Sequence, residues 1–171
     1  MLRKKILTIL AVVTFSCTYP IQAQVWTSGH HIISSGDEYW EIYMYNDCIL
    51  DIFGGDIARL AAYDTTVTNW YDGQMYTLWT RDDSIVNIYG GDLDILWAAE
   101  SSRVNIFAYD VAVMPTGGRY NQGYATGYFY SNDEPFYFDI SQDTYLHINV
   151  IPEPATFLLL GLGSLWIVKK K

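Results

Sequence analysis

Lysine is missing from the body of this chain. All five lysines lie at the ends, Lys4 and Lys5 near the start and Lys169, Lys170 and Lys171 at the finish. All nineteen acidic residues fall between Asp37 and Glu153. Residues 24–168 therefore set four arginines (Arg59, Arg81, Arg103, Arg119) against nineteen carboxylates, a formal charge of −15. Such a body repels phosphates and anionic membrane surfaces, which argues against nucleic acid as a partner. Cysteine is almost absent, with only Cys17 and Cys48. If an N-terminal leader carrying Cys17 is removed, no internal disulfide is available and stability must come from packing. Histidine is limited to His30, His31 and His147. The adjacent pair supplies too few ligands for a metal site, and none of the three belongs to a motif that would make Cys48 a nucleophile. No cofactor motif is legible.

What the chain does have is a repeat. The segments beginning at Asp51, Asn69, Asn87 and Asn105 align without a gap at a spacing of 18 residues. Column one reads Asp51, Asn69, Asn87, Asn105, and column two reads Ile52, Trp70, Ile88, Ile106. Column three is Phe53, Tyr71, Tyr89, Phe107. Glycine recurs in column five as Gly55, Gly73 and Gly91, and an aliphatic residue recurs in column ten as Leu60, Leu78, Leu96 and Met114. Helical repeats need a longer unit, of about 33 residues or more. Here Val86-Asn87-Ile88-Tyr89 alternates with period two, the mark of a strand. The predicted fold is all-β, a β-solenoid or β-helix of 18-residue coils in which each coil contacts only its neighbours.

Coils are expected over 33–50, 51–68, 69–86, 87–104 and 105–122. The first is degenerate, as a terminal repeat must be to cap a sheet edge. The turn-rich stretch from Met114 to Pro135 reads as a loop or hairpin inserted in the stack. The solenoid is expected to resume near 143–150, with Asp143 to Ile148 aligned on Asp83 to Ile88. Coils about 4.8 Å apart place like residues on like. Val86, Val104 and the isoleucine column should fill the core. The asparagine column should form a side-chain hydrogen-bond ladder, as in stacked strands. The column-five glycines should take positive φ at a corner. Eighteen residues suit three short sides per coil. Cys48 falls in the small-residue column with Thr66, Ser84 and Ser102, and is expected to be buried there.

Two columns could hold a ligand. The aromatic column Phe53, Tyr71, Tyr89, Phe107 could offer a flat platform to sugar rings, since an exposed aromatic stripe often marks a binding surface. The alternative is that the rings pack on each other. Stacked carboxylates suit calcium. Column six carries Asp56, Asp92 and Asp110, with Gln74 between, and column fourteen carries Asp64, Asp82 and Glu100. The alternative there is a solvated acidic corner. Nothing selects a catalytic pair of carboxylates, so the chain is read as a non-enzyme.

The ends read as targeting segments. Residues 1–23 have a positive start (Arg3, Lys4, Lys5), an apolar run from Ile6 to Phe15 and a small residue, Ala23, before Gln24, which is the pattern of a secretory signal peptide. Residues 151–171 run from a Pro-Glu-Pro turn through an apolar stretch to three lysines. Fourteen helical residues from Ala155 to Val168 reach about 21 Å, short of a bilayer core of about 30 Å. The lysines should remain cytoplasmic as a membrane stop. Pro152, Glu153 and Pro154, the apolar run with Gly161 and Gly163, and Lys169 to Lys171 resemble the PEP-CTERM sorting domain of Gram-negative bacteria over the last 21 residues. That resemblance implies processing by an exosortase at or near the Pro-Glu-Pro motif. It also implies export linked to exopolysaccharide and the cell surface. The resulting expectation is an exported structural or adhesive protein of the cell surface, outer membrane or extracellular matrix. Its partners would be signal peptidase, the exosortase and, transiently, the inner membrane. The alternative is a carbohydrate-binding module that retains exopolysaccharide on the aromatic column, and the third is a small polysaccharide-processing enzyme.

Overall fold

The computed structural model describes residues 23–119 and 122–152. The expected N-terminal signal helix and C-terminal hydrophobic helix fall outside them, as do Glu153, Pro154 and Lys169 to Lys171. Among the described residues no helix is long and apolar enough to cross a membrane. The elements in order are β1 (Ala23–Trp26), β2 (His30–Ile33), β3 (Glu38–Met44), β4 (Ile49–Ala62), β5 (Val67–Thr80), β6 (Ile85–Ile88), β7 (Asp92–Ala98), β8 (Arg103–Met114), β9 (Gly123–Phe129) and β10 (Pro135–Ile140). A 3-10 segment (Gln142–His147) and β11 (Ile148–Ile151) follow. Ala23, placed at the end of the leader, opens β1, and Ile151, placed in the tail, closes β11.

The strands stack in parallel as a β-solenoid of about five turns. A first wall runs through β2, the starts of β4 and β5, β6, the start of β8, and β11. A second wall runs through β1, β3, the later parts of β4 and β5, β7 and β10. The 18-residue register is the register of the sheet: Asp51 pairs with Asn69, Asn69 with Asn87 and Asn87 with Asn105. In the second wall pairing skips from Ile57–Met75 to Arg59–Thr77, so each coil bends again at column eight.

Alternation explains the core. Columns two, seven and ten point inward, and Ile52, Trp70, Ile88, Ile57, Met75, Leu60, Leu78 and Leu96 are all buried. Each such side chain contributes about 1.5–3 kcal/mol of burial. Glycine opens the corner between the walls: Gly55, Gly73 and Gly91 have φ of 88°, 107° and 96°. A Cβ on Gly73 would lie 2.7 Å from the carbonyl oxygen of Gly55, and one on Gly91 would lie 2.6 Å from the Trp70 ring.

The repeat breaks after Ala108, and the coil expected over 105–122 does not close. Beyond Ala108, β8 leaves the stack and pairs antiparallel with β9, which pairs antiparallel with β10. Met114, expected in the core column, is 46% exposed on this hairpin. β10 takes the vacated place, with Asp139 beside Ile95 and Ile140 beside Leu96. The stack resumes in β11, but two residues later than the sequence alignment puts it. Asn149, not His147, pairs with Asn105. The cause is local. Thr144 closes its turn on Ser141 as Ser84 closes on Arg81 and Ser102 on Ala99. The 3-10 segment then adds two residues before column one is reached.

Replacing Ile88 or Leu96 by Asp buries an unpaired carboxylate, at a cost of several kcal/mol, comparable with the whole stability of a domain. Both variants should lose β-type circular dichroism at room temperature. Gly73→Ala should keep the fold but lose about 1–3 kcal/mol from strain alone, read as a lowered midpoint in urea.

Candidate functional site

Columns one, three and fourteen satisfy themselves, and the outward columns six and eight do not. Column one is a continuous ladder. Asn69 Nδ2 donates to Asp51 Oδ1, Asn87 Nδ2 to Asn69 Oδ1 and Asn105 Nδ2 to Asn87 Oδ1, each at 2.8 Å. Asn149 extends it at 3.3 Å, and His30 Nε2 meets Asp51 Oδ2 at 2.7 Å at the other end. An amide carries both donor and acceptor, so the column propagates without an unpaired group.

Column three is also closed. Phe53 and Tyr71 stack with centroids 4.8 Å apart and planes 3° apart, Tyr71 and Tyr89 at 4.8 Å and 8°, and Tyr89 and Phe107 at 4.2 Å and 16°. Ring spacing matches strand spacing, so each inner ring has both faces covered by its neighbours. Burial beside Tyr71 pushes the Tyr89 phenol above its ordinary value. A sugar stacked on this column would reach only ring edges and the outer face of Phe53.

Column fourteen is a corner held by its own carboxylates. Asn46, Asp64, Asp82 and Glu100 all have left-handed backbone, with φ between 55° and 64°. Asn46 N donates to Asp64 Oδ2 at 2.8 Å, Asp64 N to Asp82 Oδ2 at 3.0 Å and Asp82 N to Glu100 Oε2 at 3.2 Å. The amide of Asp64 holds the Asp82 carboxyl below the usual range, and Glu100 and Arg81 act in the same direction. Cys48 sits in the adjoining small-residue column, fully buried, and burial followed by the charge of Asp47 pushes its thiol up.

Column six differs. Glu38 pairs with Asp56, Asp56 with Gln74 and Gln74 with Asp92. Asp110 leaves the column, because β8 has already turned into the hairpin. Among the described residues no group of three or more His, Cys, Asp or Glu side chains is arranged to hold a metal ion. Nor do the side chains of Glu38, Asp56, Gln74 and Asp92 take hydrogen-bond partners among the described residues. Like charges one strand apart repel by about 1 kcal/mol in water, so this rail is an unbalanced line of negative potential.

The rail forms one bank of an open groove of about 960 Å³ on the second wall. Column eight forms the other bank. Trp40 lies beside Ala58, Ala58 beside Tyr76 and Tyr76 beside Asp94, as the flanking pairs require. Trp40 is 57% exposed and Tyr76 54%. The two residues stand two strands apart, about 10 Å along the stack, with the small Ala58 between them. Arg119 closes the far end: its Nη2 donates to Asp94 Oδ1 and its Nε to the buried Asp139 Oδ2, both at 3.2 Å. The Asp139 carboxylate also accepts the Arg119 backbone N–H at 3.1 Å and the Tyr137 hydroxyl at 3.1 Å. Arg59 and Arg81 are engaged elsewhere, over Trp79 and Trp97 and paired with Glu41 and Glu100.

Sequence reasoning missed Trp40 and Tyr76. They sit at the bend where period two fails, and their column is not self-similar. The signal was that dissimilarity: Trp40, Ala58, Tyr76, Asp94 is an outward column without a repeated residue type. No protein-family model, curated protein or solved structure matches the chain.

The lowered Asp82 value fixes a pH dependence. A carboxyl whose folded pKa is below its unfolded value of about 3.9 stabilises the fold above that value and loses the contribution as pH falls through the folded pKa. Urea midpoints should therefore fall as pH drops below about 4, and Asp82→Asn should make that acid limb shallower.

Proposed function

We propose that this chain is an exported structural or adhesive protein of the cell surface, outer membrane or extracellular matrix of a Gram-negative bacterium, delivered by its tail through an exosortase. The observation that carries this reading is the order of residues at the end of the stack. Pro152 is exposed directly after β11, so the Pro-Glu-Pro motif begins directly after the last strand of the stack. The apolar run and the three terminal lysines follow in the order a sorting signal needs. The body supports the same reading. Its outward columns one and three are self-paired ladders, and its acidic surface without lysine stays soluble at high local concentration. In this account signal peptidase removes residues 1–23, and the inner membrane holds the tail only until the exosortase acts.

A second reading, a module that retains exopolysaccharide, loses its first candidate surface because the rings of Phe53, Tyr71, Tyr89 and Phe107 cover one another. The groove between columns six and eight is the better place for it.

The test is the intact mass and location of the native protein after separation of cytoplasm, membranes, surface and medium. A surface or released form lacking residues 1–23 and the tail beyond Pro-Glu-Pro is expected. An uncut chain in the inner membrane would make the tail a plain anchor and remove the main support for the matrix assignment.

A further inference from the structure

We propose that the groove between Trp40 and Tyr76 binds an oligosaccharide of amino sugars, with sugar rings against the two aromatic side chains and their ammonium groups on the carboxylate rail. The inference stands on the groove alone and does not depend on how the tail is processed.

Four observations carry it. The two rings are more than half exposed although each is large and apolar, and they lie on one bank of a single groove. The gap between them is set by Ala58, which removes one ring from a column otherwise spaced to stack. Residues two strands apart stand about 10 Å apart along the stack, so a chain of sugar rings laid along the groove can meet both side chains. Opposite the rings stand Glu38, Asp56 and Asp92, with Gln74 among them. This arrangement puts negative charge and aromatic faces around one volume, which is how ammonium groups are recognised.

The chemistry selects among guests. A uronate polymer brings negative charge to a line of carboxylates and is repelled. A neutral sugar satisfies the rings and can donate hydroxyls to the rail, but leaves its charge unbalanced. An amino sugar meets all three features, and its ring repeat along a chain is close to the strand spacing that sets the rail. An extended cationic peptide is the competing guest. It gains little from its backbone here, because β4, β5 and β7 are paired on both edges along most of the groove, and only β1 and the start of β3 offer a free edge for β-augmentation, at its open end. The Arg119 bridge to Asp94 and Asp139 blocks the end toward β10, so the guest enters from the side of β1 and Gln24.

The experiment is calorimetric titration of the intact protein with the hexamer of glucosamine, beside the hexamer of N-acetylglucosamine, a galacturonate hexamer and hexalysine. Saturable binding of the glucosamine hexamer is expected, weakened tenfold or more by Trp40→Ala, by Tyr76→Ala and by the pair Asp56→Asn with Asp92→Asn. Added salt should weaken it by screening, and the N-acetylated hexamer should bind at least tenfold less tightly. Trp40, Tyr76, Asp56 and Asp92 are all exposed, so unchanged circular dichroism in these variants separates lost binding from lost fold. The proposal is overturned if the glucosamine hexamer shows no saturable binding, or if its affinity survives Trp40→Ala and Tyr76→Ala. Equal affinity for hexalysine would reduce the groove to a charge sink and overturn the sugar assignment. Equal affinity for the N-acetylated hexamer would overturn the role of the ammonium groups.

Discussion

Each side chain in the middle of this chain has the residue eighteen positions away as its neighbour, one strand spacing distant. That constraint decides what each column can hold. An inward column is mostly apolar, as Leu60, Leu78 and Leu96 are, although Trp70 stands among isoleucines and Thr68 among Leu50, Val86 and Val104. An outward column persists if its residue type is attracted to itself. Amides are, because donor meets acceptor along the file from Asp51 to Asn105. Aromatic rings are, because parallel planes at strand spacing come into contact. The ladders and the core follow from one register, and a one-residue slip would turn every ladder inward and the core out.

Carboxylates are not attracted to themselves, and the two acidic columns answer the problem differently. In column fourteen the left-handed backbone of Asn46, Asp64 and Asp82 turns each N–H toward the carboxylate of the next coil, so the charge is held by amides. The conformation costs on the order of 1 kcal/mol per residue outside glycine, and a charge-assisted hydrogen bond of about 1.5–3 kcal/mol offsets it. In column six no such donors are aimed at the carboxylates. Gln74 interrupts the line, and the remaining charge faces water beside two exposed rings. The same stacking rule that makes most of the surface inert therefore leaves one groove with unspent electrostatic and aromatic potential.

The parts of the fold legible in the sequence are those where this rule operates unbroken. The 18-residue period, the inward isoleucine and leucine columns, the asparagine ladder and the positive-φ glycines all follow from residue type in column. The aromatic file was legible too, though the alternation alone did not decide whether its faces would be open or mutually covered. What was not legible lies where the local rule changes. The bend at column eight breaks the two-residue alternation, so Trp40 and Tyr76 could not be told from other outward residues. The two residues added by the 3-10 segment move column one from His147 to Asn149, and a short turn of that kind has no strong residue signature. Asp110 and Met114 match their columns by type, yet the hairpin carries both away from the stack.

The hairpin also explains how the stack ends on one wall. A solenoid is built from edges that template the next coil, so a bare edge at its end invites association with another chain. β10 occupies the place of the next coil on the second wall, beside β7, but its other edge is taken by β9 in the antiparallel sense. A parallel coil can no longer add there. Burial of Asp139 at this point holds the cap in place. Its carboxylate accepts from the Arg119 backbone, the Arg119 guanidinium and the Tyr137 hydroxyl, so removing any one donor leaves a buried charge short of a partner. A buried, fully bonded carboxylate contributes more to fixing one arrangement than to net stability. Arg119 ties that arrangement to Asp94 on the bank of the groove. The residue that anchors the cap thus also sets where the groove stops.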